Sequence, residues 1–382
     1  MENKVYIPRI IEKKIKDCLF KKKVIIIYGA RQTGKTTLVK KILADYKNLS
    51  SLYLNCDEED IRLLLQNAAT STQLKQIIGN HQLVIFDEAQ HINNIGIKLK
   101  LLVDNFPHQQ IIVTGSSSFE ISQNIAQPLT GRNFTFWLYP FSLKEIATLY
   151  STYEIKRLLE NFLIYGLYPE VVTSPSLSEK KTIINSIAQD YLFKDILKWR
   201  GIKGEETTKK ILQALALQIG NEVSFNELAN LVGVSKETVA SYIDILEKAF
   251  IIFKVPPFSR NRRKELGKLR KIYFYDLGIR NALINNQNPL TLRNDVGALF
   301  ENFIVAEKKK QQNFIGDLKN LYFWRSYEKQ KIDLVEEYQG KIFAYEIKWQ
   351  KTKNKPPRAW QKNYPQSFWQ VINKENFLEM LV

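Results

Sequence analysis

A chain of 382 residues with 56 Lys and Arg against 39 Asp and Glu carries a formal charge of +17. That length implies two or three domains, and that charge favours polyanionic partners without fixing a fold. Cys18, Cys56, His81, His91 and His108 lie outside the spacings of a disulfide framework or a zinc site, so neither is expected and a reducing compartment fits. No apolar run reaches the ~18 residues of a membrane span. The opening MENKVYIPRI lacks the apolar core of a secretory signal. A cytoplasmic protein without a membrane partner is expected.

Val24 to Tyr28 predicts a strand buried on both faces. Gly29 to Thr36 follows as G-A-R-Q-T-G-K-T, which satisfies G-x-x-x-x-G-K-[ST]. Leu38, Val39, Ile42 and Leu43 recur at helical spacing, so a helix begins near Lys35. A strand, a glycine-rich loop and a helix in that order cradle phosphate. The glycines let successive N–H groups converge on one anion, and the helix N-terminus adds partial positive charge. Gly29, Ala30, Arg31, Gln32, Thr33, Gly34, Lys35, Thr36 and Thr37 form the expected ATP-binding set. Lys35 would reach the β- and γ-phosphates, and Thr36 would hold Mg²⁺.

Leu83 to Glu88, L-V-I-F-D-E, predicts another buried strand, ending in paired carboxylates. Asp87 would hold Mg²⁺, and Glu88 would polarise an attacking water as general base. Ile111 to Ser118, I-I-V-T-G-S-S-S, predicts a strand ending in small hydroxyl residues. In the ATPases that this pair of motifs resembles, the strand beside the D-E strand carries the residue that senses the γ-phosphate. Thr114 or Ser116 would take that position; the other reading is a plain Gly-Ser turn. Arg132, before a strand at Phe134 to Leu138, would complete a neighbouring subunit's site as an arginine finger, making the protein an oligomer, or be a solvated loop cation. Strands at about 24–28, 51–55, 83–87, 111–114 and 134–138 describe a three-layer α/β domain with a mostly parallel sheet over residues 1–150. The capping box Ser142-x-x-Glu145 opens a helix that closes it. Residues 151–206 read as a helical connector or lid.

These motifs resemble those of prokaryotic AAA-like ATPases that carry a C-terminal domain of uncharacterised function related to PD-(D/E)xK nucleases. The matching stretches are YIPRI, GARQTGKTTL, VIFDEAQ, TGSSS, LTGR, YPFSLKE, GLYPEVV (Gly166 to Val172), DYLFKDI (Asp190 to Ile196) and the segment from Gly297 to Lys348. They span nearly the whole chain. The resemblance implies a P-loop domain of the ASCE, AAA-like type and a nuclease-like α/β domain at residues 290–382; it supplies an architecture more than a function.

Residues 207–285 follow a second pattern. A helix at Thr207 to Gln218, a helix from Phe225 capped by Ser224 and broken by Gly233, and a helix capped by Ser235 give helix–turn–helix spacing. Two strand-like segments, Phe250 to Val255 and Lys271 to Tyr275, flank a basic connection with Arg260, Arg262, Arg263, Lys264, Lys268, Arg270 and Lys271. That is the pattern of a winged helix. The wing suits phosphate contact, with DNA the expected nucleic acid. The recognition-helix position, K-E-T-V-A-S-Y-I-D-I-L-E-K, balances its charges, and protein docking is the competing role.

In the last segment Glu301 is polar on an otherwise apolar helix, GALFENFIVAE. Asp333 follows in K-I-D-L-V. Glu346 and Lys348 alternate in Y-E-I-K, so they share one strand face. Asp333, Glu346 and Glu301 would hold one or two Mg²⁺ ions, and Lys348 would orient water or stabilise charge in phosphodiester hydrolysis. The competing reading keeps the acids in salt bridges to lysine or arginine, with Arg325 and Lys331 close enough in sequence to be such partners. Trp349, Trp360 and Trp369 read as core residues of a small domain. The expected function is a Mg²⁺-dependent ATPase acting as a nucleotide-driven switch on nucleic acid, with metal-dependent nuclease activity. The alternative is a signalling or scaffold ATPase whose C-terminal domain binds protein.

Overall fold

The computed structural model describes residues 6–116, 128–197, 204–259, 270–315, 319–326 and 328–382; the side chains of 190–197 and 313–315 lie outside that description. The chain divides into two compact units. One comprises Pro8–Tyr139 with Lys248–Phe250, and the other Met1–Ile7, Pro140–Glu247 and Ile251–Val382.

The first unit runs α1 (Ile10–Asp17), β1 (Val24–Tyr28), α2 (Lys35–Asp45), β2 (Ser51–Asn55), α3 (Glu59–Asn67), α4 (Ser71–Ile78), β3 (Leu83–Asp87), α5 (Ile95–Asn105), β4 (Gln110–Gly115) and β5 (Asn133–Trp137). All five strands are parallel, in the order β2-β3-β4-β1-β5. The apolar runs of β1, β3 and β4 are buried along their whole length, as strands covered on both faces must be. Edge strand β5 is part-exposed throughout. Strand β4 lies between β1 and β3, so the phosphate loop, Asp87 and Thr114 emerge along one rim, at the C-terminal ends of three adjacent strands. Ligands of open α/β sheets bind at that rim. Gly29 is required there: Leu138 N donates to Tyr28 O at 2.6 Å, and a Cβ on Gly29 would stand 2.1 Å from Leu138 O.

The second unit begins with α6 (Leu143–Ile146), whose capping box between Ser142 and Glu145 forms in both directions. Helices α7 (Thr152–Tyr165), α8 (Pro169–Thr173) and α9 (Leu177–Leu197) follow. Next come α10 (Glu205–Leu217), β6 (Glu222–Val223), α11 (Phe225–Val232), α12 (Lys236–Lys248), β7 (Ile252–Val255) and β8 (Arg270–Phe274). β6, β8 and β7 form an antiparallel sheet in that order. Helix α11 is capped by Ser224, whose hydroxyl accepts from Glu227 N, and it stops at Gly233 in the left-handed region. Of the basic connection before β8, residues 260–269 lie outside the described residues.

Helix α13 (Leu277–Leu283) anchors this unit against α7. Its cap, Asp276, accepts from Leu167 N at 2.7 Å and Ile279 N at 3.2 Å. Asn281 donates to Leu163 O and Ile164 O, occupying carbonyls that the end of α7 leaves without helical partners. The chain then runs α14 (Val296–Ile315), β9 (Asn320–Arg325), β10 (Lys331–Tyr338), β11 (Lys341–Ile347), α15 (Arg358–Asn363), β12 (Phe368–Ile372) and α16 (Phe377–Leu381). The sheet order is β12-β11-β10-β9; β10 is antiparallel to β9 and β11, and β12 is parallel to β11. Trp360 is fully buried in its core, with Trp324 edge-on to it at 73° and Tyr364 tilted against it at 41°. Among the described residues no helix is long and apolar enough to cross a membrane.

Candidate functional site

Two constellations expected from the sequence assemble. In the second unit, Glu346 near the end of β11 and Lys348 just after it come together, with Lys348 Nζ 2.7 Å from Glu346 Oε1. Asp333 sits where the register of β10 against β9 shifts between Ile332 and Val335, an irregularity of the kind that re-aims a side chain. Its Oδ2 accepts from Ile347 N at 2.9 Å and stands 3.7 Å from Lys348 Nζ. Glu301, on α14, accepts from Lys271 Nζ at 2.8 Å and from the Tyr273 hydroxyl at 2.7 Å. Burial raises the Glu301 carboxyl above the usual range, and Lys271 opposes that shift. For Lys348, burial works against the ammonium, but the hydrogen bond to Glu346 and the charge of Asp333 raise it overall.

The cations that answer these acids are therefore Lys348 and Lys271. Arg325 instead pairs with Glu222 at 2.6 Å, and Lys331 is exposed at the start of β10. Lys271 and Tyr273 come from a different sheet, about thirty residues away in sequence from the acid they contact. No periodicity near Glu301 could have announced them. The donor set does not fit a divalent cation as it stands, because ammoniums hold Oε1 of Glu301 and Oε1 of Glu346. Among the described residues no three His, Cys, Asp or Glu side chains are spaced to share a metal ion.

The first unit builds the other constellation. Helix α2 starts at Lys35 behind Gly34, whose φ of 93° is in the left-handed region that glycine adopts without penalty. Gly34 provides no side-chain cap, and no acid lies in the first turn of α2. An anion can therefore approach the leading N–H groups of the helix. Lys35 is buried; its Nζ donates to Gly29 O and Ala30 O at 3.1 Å each and stands 3.6 Å from Glu88 Oε1. Burial lowers its pKa from the ordinary lysine range, while Glu88 and Asp87 pull it back up. Thr36 donates to Asp87 Oδ2 at 2.7 Å, Tyr53 donates to the same oxygen at 2.5 Å, and Thr114 donates to Asp87 Oδ1. Thr114 also accepts from Glu88 N at 3.0 Å. Glu88 itself is left-handed, with φ 52° and ψ 45°, a conformation that costs a non-glycine residue energy and clusters at functional sites. Gln90 donates to Glu88 Oε2 at 2.6 Å and to Ser116 Oγ at 3.0 Å.

Residues 21–147 match the family model described as an AAA domain. The chain resembles AAA-like P-loop ATPases over this stretch. Residues 156–290 match a domain of unknown function (DUF8612), and residues 296–371 match another (DUF4143). An uncharacterized protein of Methanocaldococcus jannaschii is 26% identical over 320 residues, 79% of this chain and 70% of that protein. One from Haemophilus influenzae is 27% identical over 286 residues, 69% of each chain. Among solved structures, the Aeropyrum pernix ORC2 protein in its ADP form aligns at a TM-score of 0.34 and 15% identity, over 71% of this chain and 92% of its own.

In the AAA-like unit the residues fit a magnesium-bound triphosphate. Thr36 and Asp87 place a hydroxyl and a carboxylate side by side, the hard oxygen donors that Mg²⁺ takes. Ser116 is near Glu88 through Gln90, whereas Thr114 touches Asp87 directly. Arg132 is not brought to this group. Its carbonyl accepts from Val24 N at the start of β1, on the rim opposite the loop, and its side chain pairs with Asp104 at 2.6 Å, 42% exposed. Two residues of this site carried no signal in the sequence for the contacts they make. Arg9 of YIPRI donates to Thr33 O at 2.8 Å and Tyr139 O at 2.5 Å, and Tyr53 binds Asp87. YIPRI stood out as a matching stretch, but the target of its arginine was not encoded nearby.

Proposed function

We propose that this protein is a Mg²⁺-dependent ATPase whose turnover drives action on nucleic acid, DNA in the first instance. The observation that carries the reading is the pairing of Thr36 with Asp87 beside a buried Lys35 at the uncapped head of α2. When bound, Mg²⁺ would be held by Thr36 and Asp87 and would neutralise phosphate charge. Lys35 supplies positive charge to the phosphates, and backbone N–H groups from Gly29 to Thr37 line the same anion site. Glu88 accepts the proton of the attacking water, and Gln90 fixes its carboxylate. Thr114, bonded to both Asp87 and Glu88 N, is the better-placed sensor; Ser116 acts through Gln90. Arg132 could serve only a neighbouring subunit's site in an oligomer, because its own site lies on the other rim.

The helix and strand order of α10 to β8 supports a winged helix, and the α-β-β-β-α-β order from α14 to β12 supports the PD-(D/E)xK-like reading. The net charge of +17 supports a polyanionic partner. The ammoniums on Glu301 and Glu346 favour a second reading, in which this domain hydrolyses nothing and docks protein. ATP turnover by the wild type, and its loss in Lys35→Ala, tests the first claim. A salt titration separates the partners: DNA affinity falls steeply with salt, as phosphate contacts require. Binding to a protein that survives high salt, with no DNA affinity, would favour the docking reading.

A further inference from the structure

The side chain of Lys271 does something a wing residue need not do. It enters from β8 and is only 6% exposed. Its Nζ is 2.8 Å from Glu301 Oε1 and 4.0 Å from Asp333 Oδ1, so one ammonium lies between carboxylates of two different elements, α14 and β10. Asp333 is 1% exposed, and its Oδ1 is buried without a hydrogen-bond partner. A pair built only for stability would close on both acids. Here one oxygen is left with charge nearby and no donor, an arrangement that costs free energy. Lys348 and Ile347 N occupy the other face of Asp333, through Oδ2. The open oxygen therefore faces the ammonium of Lys271.

An ammonium and a divalent cation compete for the same oxygens. We propose that Lys271 is the resident cation of this pocket, that it excludes divalent metal from Glu301 and Asp333, and that its removal uncovers a divalent-cation site. The inference rests on the nuclease-like constellation described above for its location alone.

Mn²⁺ binding, followed by paramagnetic resonance and calorimetry without ATP or DNA, tests the proposal on the full chain. An Asp87→Asn background removes the phosphate-loop contribution. Lys271→Met, which keeps an apolar stem, is expected to bind one Mn²⁺ at least tenfold tighter than the parent, and adding Asp333→Asn should abolish the gain. Parental Mn²⁺ binding that Asp333→Asn removes would show that metal enters with Lys271 in place, and would overturn the proposal. A folded Lys271→Met that gains nothing would do the same. Should Lys271→Met be unstable, Mn²⁺ must raise its melting temperature and leave the parent's unchanged, since a ligand stabilises the state it binds; no rescue would overturn it too. Failure to cleave DNA bears on the nuclease reading and leaves this result standing.

Discussion

The hydroxyl of Thr36 donates to the carboxylate of Asp87 at 2.7 Å, joining the first turn of α2 to the end of β3 across 51 residues of sequence. β4 lies between β3 and β1, the strand that leads into the loop before α2, yet the two side chains meet where Thr114 of β4 also binds Asp87. A hydroxyl and a carboxylate are thus paired in advance, with a buried lysine beside them.

Lys35→Ala is expected to lower kcat for ATP at least 100-fold, about the effect of removing one charge-stabilising donor from a site. Asp87→Asn should fall in the same range, because Thr36, Tyr53 and Thr114 all lose their charged acceptor. Both proteins should keep the wild-type circular dichroism. More than a tenth of wild-type turnover in either would remove the assignment.

Arg9 is a positioning residue for the loop. It holds Thr33 O and Tyr139 O, and Arg9→Ala leaves both carbonyls short of a partner, at a cost of about 1–3 kcal/mol each. The expected outcome is a KM for ATP raised roughly tenfold, with kcat changed less, and only partial recovery in Arg9→Lys, which lacks the fork. Steady-state kinetics on the three proteins decide it. An unchanged KM in Arg9→Ala would contradict this role.

Gly166 and Gly131 share a positive φ and differ in the space around them. Both have positive φ, 80° and 74°. A Cβ on Gly166 would lie 2.0 Å from Asp276 Oδ1, whereas nothing lies within 4 Å of one on Gly131. Gly131→Ala should cost about 1 kcal/mol, the left-handed penalty. Gly166→Ala should cost about 3 kcal/mol or more, because Asp276 must also release Leu167 N or Ile279 N. Urea midpoints compare them, and equal costs would refute the steric account.

Asp295 gives an acid-side prediction. Burial raises its carboxyl, but hydrogen bonds from Arg293 and Arg280 outweigh burial and set it at about 2, against 3.8 unperturbed. The folded carboxylate therefore binds its proton less tightly than the unfolded one. Its contribution is present above about pH 4 and is lost as pH falls toward 2. With the side chain 20% exposed, that contribution is about 1–2 kcal/mol. Asp295→Asn should lose it at pH 7, and its stability gap to wild type should narrow between pH 4 and 2.5. A constant gap in urea unfolding across that range would contradict the linkage.

Periodicity and local chemistry make one part of this architecture legible along the chain. The strands at 24–28, 51–55 and 83–87 stand as read, because an apolar run between turn residues carries its own signal. The glycine-rich loop, the Ser142 capping box and the Gly233 stop depend on neighbours within a few residues. The alternation of Glu346 and Lys348 also holds. Which distant groups meet follows from the folded chain: Tyr53 and Thr114 on Asp87, Arg9 on the loop, and Arg132 on the far rim with Asp104. It also gave Glu301 to Lys271 and Tyr273, and Arg325 to Glu222. Spacing along a chain sets which face of an element a side chain occupies, while sheet order and register set what that face meets.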